Sequence, residues 1–129
     1  MRVRTALAAA ALLTLGAPVP AGAAPSPDPG RGLFLTVSGS GNTWIRGVAL
    51  HCPPRPDDRH PDAAGACAAL DAADGDFDAL PGDPHTCTDE HDPVTVTAEG
   101  FWRGAAIAWR RTFPSPCAMH AATGPVFRF

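Results

Sequence analysis

The sequence predicts an α+β domain, an antiparallel β-sheet with short helices on one side. Three observations predict it. Short runs such as Leu33–Val37 and Val94–Ala98 alternate between residues suited to a core and residues suited to water. Clusters of Gly, Pro, Asp and Ser separate these runs at turn length. One segment, Ala63–Leu70, has the alanine content of a helix.

The chain opens with Met1-Arg2-Val3-Arg4, then an apolar run to Leu15, then small residues to Ala24. A positive start, a short apolar stretch and Ala21-Gly22-Ala23 read as a secretory signal peptide over residues 1–23. The apolar run is too short to span a bilayer. Residues 24–31 alternate Pro with Ser, Asp and Gly, and are expected to form a disordered or extended arm. The remaining residues, 32–129, are of single-domain length.

Within that domain Leu33–Val37 is the first strand, and Ser38–Asn42 is its turn. Thr43–Cys52 is the second strand. Pro53–Pro61 carries four prolines among charged residues and excludes regular structure. Pro61 or Asp62 opens the alanine-rich helix, and Gly75 lies past its end. Cys67 and Leu70, three apart, share its buried face. Val94–Ala98 is a strand, Glu99-Gly100 a hairpin signal, and Phe101–Phe113 a long returning strand interrupted by Gly104. On that strand Ile107, Trp109, Arg111 and Phe113 share one face. Pro114 and Pro116 stop it, Cys117–Ala122 reads as a short helix, and Val126–Phe129 as a final strand. That makes about five strands. For Trp44, Trp102 and Trp109 the core is the ordinary place for a lone aromatic on a strand, with a sheet-to-sheet interface as the other.

Charge and cysteines narrow the partners. There is no lysine, and losing Arg2 and Arg4 with the leader leaves eight of ten basic residues against 13 acids. An acidic domain with no basic cluster argues against nucleic acid or an anionic membrane as partner. Cys52, Cys67, Cys87 and Cys117 make an even count in an exported chain, which points to two disulfides. Spacing alone leaves three connectivities open.

Thr86-Cys87-Thr88-Asp89-Glu90-His91-Asp92-Pro93 stands apart from these elements. A cysteine and a proline bracket polar residues unsuited to a core. A segment pinned at both ends has little ordering entropy left to lose on binding, as a recognition loop requires. Enzyme motifs are missing: there is no Gly-x-Ser-x-Gly, His-Glu-x-x-His or P-loop. His51, His60, His85, His91 and His120 are scattered without metal-ligand spacing and read as solvated loop residues. The acidic cluster Asp74–Asp78 lacks the downstream Glu of a calcium loop. No cofactor or metal is expected.

Taken together, these pieces resemble the Streptomyces subtilisin inhibitor family. The resemblance rests on Leu33–Val37, on Cys52-Pro53-Pro54 with His60-Pro61 and Ala66–Leu70, and on Gly75–Leu80. It continues through Asp92-Pro93-Val94, Gly100–Gly104, Arg111, Phe113, Cys117, Met119 and Val126–Phe129. Asp58 departs from it, since the family signature usually has Gly there. The resemblance implies a five-stranded antiparallel sheet with two short helices, the pairings Cys52–Cys67 and Cys87–Cys117, and a homodimer packed through the sheet. It also implies a secreted serine protease as partner, bound by the loop of residues 86–93. Carried over by position, Cys87 is P3, Thr88 P2, Asp89 P1 and Glu90 P1′, with His91, Asp92 and Pro93 flanking.

In that mechanism the loop enters the active site as a substrate would, and P1 fills the S1 pocket. The family's usual P1 is Met or Lys; this chain has Asp89. Burying an unpaired carboxylate in an apolar pocket costs several kcal/mol. A nanomolar complex is worth only about 12 kcal/mol, so inhibition of subtilisin is expected to be weak. Thr88 in place of the usual Pro also loosens the backbone. Two functions follow as expectations: an inhibitor of an acid-preferring serine protease, or the same scaffold binding another secreted partner such as a metalloprotease.

Overall fold

The computed structural model describes residues 31–129, together with Ala11, Leu13, Leu15 and Gly16. The expected leader, and the arm up to Gly30, lie otherwise outside the described residues. Four strands form a single antiparallel sheet: β1 (Leu33–Gly39), β2 (Ile45–Leu50), β3 (Val94–Trp102) and β4 (Ala105–Phe113), in the order β2-β1-β3-β4. Two helices complete it, α1 (Ala63–Ala72) and α2 (Pro116–Thr123). No helix among the described residues is long and apolar enough to cross a membrane.

The register assigns every strand residue to a face. Leu35 lies opposite Val48 and Ala98, and Val96 opposite Val37 and Arg111. Leu33, Leu35, Val37, Leu50, Val94, Val96 and Ala98 on this face are buried, and with Leu70, Val126 and Phe127 they form the core. The opposite face carries Phe34, Thr36, Gly47, Ala49, Thr95 and Thr97. Thr36 and Thr97 hydroxyls bond across it, as do those of Thr95 and Thr112 at 2.9 Å.

Helix boundaries follow from capping. The Asp62 carboxylate accepts from the Gly65 N–H at 3.0 Å and starts α1. Gly75, at φ +74°, ends it by donating to the Leu70 carbonyl at 2.9 Å. Ser115 caps α2 through the Ala118 N–H at 3.2 Å, with Pro116 in the first turn. Cys67 and Leu70 are both buried on α1, as their spacing implies. The disulfides pair Cys52 with Cys67 and Cys87 with Cys117.

Two expectations are overturned. The hairpin between β3 and β4 turns at Arg103-Gly104, with φ of 47° and 79°, and not at Glu99-Gly100. Two consecutive left-handed residues make the turn whose twist matches antiparallel strands. Gly100 serves β3 differently: a Cβ there would lie 2.2 Å from the Gly32 carbonyl oxygen, so the chain passes only because the residue has none. The fifth strand is absent. Gly124 at φ 59° and Pro125 lead into a turn in which Arg128 N–H donates to the Pro125 carbonyl. Val126 and Phe127 plug the core, where Trp109 stacks on both Phe77 and Phe127 and those two rings also meet each other.

Three histidines also depart from the solvated reading. His60 is buried; its Nδ1 accepts from the Asp62 N–H and its Nε2 donates to the Val126 carbonyl at 2.8 Å. His51 donates from Nδ1 to Asp58 at 2.6 Å. His120 is half-buried on α2, with Nδ1 shut off from solvent and without a partner. Of the tryptophans, Trp102 is buried and Trp109 half-buried, but Trp44 is 40% exposed.

Candidate functional site: a double-anchored loop

Residues 80–93 run from the end of a short 3-10 turn (Phe77–Ala79) to β3 without regular structure. The turns and prolines in this stretch prevent strand pairing, and no apolar side chain between Thr86 and Asp92 pulls the chain inward. Thr88, Asp89, Glu90, His91 and Asp92 are all exposed. Among the described residues, Thr88, Asp89, Glu90 and His91 make no hydrogen bond or ion pair. They are free to meet another molecule.

The ends are held. Cys87, half-buried, is bonded to Cys117 in the first turn of α2. On the other side Asp92 N–H donates to the Pro114 carbonyl at 3.0 Å. The Ser40 hydroxyl donates to the Pro93 carbonyl at 3.3 Å, and Val94 is buried as the first residue of β3. Five exposed residues therefore span two fixed points on different elements. A shallow depression lined by Thr88, Glu90, Pro114 and Ala118 lies between the loop and α2. The sequence signals Cys87 and Pro93 as anchors. Ser40 and Pro114 carry no such signal, because their contributions come from a tertiary contact and a backbone carbonyl.

Beneath the loop the charge is modest. Burial, then the positive fields of Arg128 and His85, lower the His120 pKa from its ordinary 6.5. His85 donates from Nδ1 to the Asp83 carbonyl at 2.6 Å. His85, Cys87 and Cys117 come close together, but both sulfurs are spent in the disulfide and are not thiolate ligands.

A four-stranded antiparallel sheet with two helices, two disulfides and an exposed loop fixed at both ends defines a scaffold that presents a loop, with no catalytic constellation among the described residues. Comparison with known proteins supplies the family. Residues 30–115 match the subtilisin inhibitor-like family model, and the chain belongs to that family, whose members are protease inhibitors and not enzymes. It is 46% identical over 88 residues to subtilisin inhibitor-like protein 5 of Streptomyces fradiae, covering 67% of this chain and 82% of that one. It is 45% identical over 86 residues to the transglutaminase-activating metalloprotease inhibitor of Streptomyces mobaraensis, covering 65% of this chain and 58% of that one. Among solved structures it resembles Streptomyces caespitosus sermetstatin, crystallised with Bacillus licheniformis subtilisin, at TM-score 0.56 and 36% identity. That match covers 75% of this chain and 96% of the other.

Proposed function

We propose that the protein is an exported, substrate-like inhibitor of serine proteases whose reactive bond is Asp89–Glu90. The observation that carries this reading is the loop: four exposed residues, Thr88, Asp89, Glu90 and His91, without internal partners, held by a disulfide on one side and by Pro114 and Ser40 on the other. Such a segment can enter an active-site cleft in extended form with little entropy left to lose. If the bond is cut, Glu90 stays tied to the sheet through Asp92 and Pro93, and Asp89 stays tied to α2 through Cys87. The new amine remains beside the acyl group, and religation competes with hydrolysis.

Asp89 at P1 directs the inhibitor to a protease whose S1 pocket offers a cation, and away from apolar or acidic pockets. A homodimer packed through the open sheet face belongs to the same reading; Phe34 and Ile45 stand there 53% and 68% exposed. The test is a titration of the purified, oxidised protein against subtilisin and a glutamate-specific secreted serine protease. Tight inhibition of the second alone is expected. Asp89→Met is expected to gain subtilisin inhibition; no gain removes the loop assignment. The second reading, a metalloprotease partner, is favoured by the S. mobaraensis relative that bears that name. Inhibition of a secreted metalloprotease, with neither serine protease affected, selects it.

A further inference from the structure

We propose that the turn between β1 and β2, with Trp44 at its end, is a second contact surface for the protease held by the loop. The inference rests on the loop reading above and extends it to a part of the molecule outside the loop.

Topology places the turn beside the loop. The loop leads into β3 at Val94, whose partner on β1 is Gly39, the last residue before the turn. β1 lies on one side of β3 and β4 on the other, so the loop base is flanked by the β1–β2 turn and by the Pro114–Pro116 connection to α2. The Ser40 hydroxyl bonds directly to the Pro93 carbonyl on the primed side of the reactive bond. All three segments occupy the same end of the sheet.

Interface size requires a flank. A stable protease complex covers about 800 Å² on each partner, drawn from roughly 20–30 residues. The ten exposed residues of the 80–93 stretch fall short of that. Of the two flanks, the turn presents the large side chain. Trp44 is 40% exposed, and its position is fixed: a Cβ on Gly39 would lie 2.4 Å from Trp44 Nε1, so the indole rests against bare backbone. The Arg46 guanidinium sits 5.2 Å from its ring centroid. An aromatic held still before binding, with a cation upon it, is the kind of residue that concentrates binding energy. The matching surface on the protease is apolar with an acidic edge, next to its primed subsites.

The experiment uses Asp89→Met as parent, with subtilisin as the probe. Into it are placed Trp44→Ala and, separately, Arg46→Glu, each checked for both disulfides and an unchanged thermal midpoint. Trp44→Ala is expected to weaken inhibition about 10–30-fold, chiefly through faster dissociation. Arg46→Glu is expected to slow association in low salt, the effect fading as salt rises. An inhibiting parent whose affinity neither substitution changes overturns the second contact and leaves the loop standing. A parent that does not inhibit removes both.

Discussion

At the residue scale, Asp58 has the largest role relative to its signal in the sequence. It stands where the family signature usually has Gly, inside a proline-rich stretch. In the structure its side chain is 2% exposed and accepts from the His51 ring and from the backbone N–H groups of His51 and Arg55. Burial alone raises its pKa; the bonds from Arg55 and His51 outweigh it and hold the carboxyl below its ordinary 3.8. A folded pKa below the unfolded one means that the stabilisation is complete above pH 3.8 and is lost as pH falls through the folded value. Asp58→Ala is expected to lower stability by about 2 kcal/mol at neutral pH and to remove that acid dependence, read by urea denaturation. His120 has the same sign at higher pH. Its folded pKa lies below 6.5, so stability begins to fall as pH drops beneath that value. In His120→Leu that decline is absent, and the ring nitrogen without a partner is gone.

At the element scale, glycines and cysteines decide which segments can approach each other. Gly100→Ala forces a Cβ to within 2.2 Å of the Gly32 carbonyl oxygen at φ +125°, a clash with the backbone of Gly32 and Leu33, and is expected to cost about 3 kcal/mol. Gly41→Ala, at φ +62° with nothing within 4 Å, carries the φ penalty alone, about 1 kcal/mol. The Cys87–Cys117 bond closes a 30-residue separation, and the double Ser variant is expected to lose about 3 kcal/mol. The same variant should be cut and released as an ordinary substrate, seen by mass spectrometry after mixing with the target protease. Local signals made β1 and α1 legible: alternation, an Asp at the start of the helix and a Gly past its end; α2 is legible as Cys117–Ala122, but Pro116, which reads as a stop for the preceding strand, lies in the helix's first turn. The β3–β4 turn was not, because Glu99-Gly100 carries the same glycine signal as Arg103-Gly104. Only pairing with β1 shows that Gly100 is needed for a close approach within the strand. The last four residues misled for a related reason, since an apolar pair reads alike whether it joins a sheet or plugs a core.

At the scale of the whole molecule, the sheet divides the protein into a packed side and an open side. The helices and the aromatic stack cover one face. The other shows threonines bonded across strands and a Phe34 ring that would meet a Gly47 Cβ at 2.7 Å. If this face joins two copies, Phe34→Arg places like charges at a shared surface, and sedimentation is expected to show half the mass with protease inhibition retained. The candidate site was legible to a different degree from the fold. Cys87, Asp92 and Pro93 mark the loop in the sequence, but Ser40 and Trp44, about fifty residues earlier, come beside it only through the pairing of Gly39 with Val94.

That pairing has a practical consequence. Leu33 pairs with Gly100 at one end of the sheet and Gly39 with Val94 at the other, so the chain enters the domain at the end away from the loop. A coat-protein fusion or a resin linker joined ahead of Arg31 leaves the loop facing outward. Libraries randomised at Asp89 and Glu90 can then be sorted by capture on immobilised proteases, making the scaffold a reader of what an unknown protease prefers to cut.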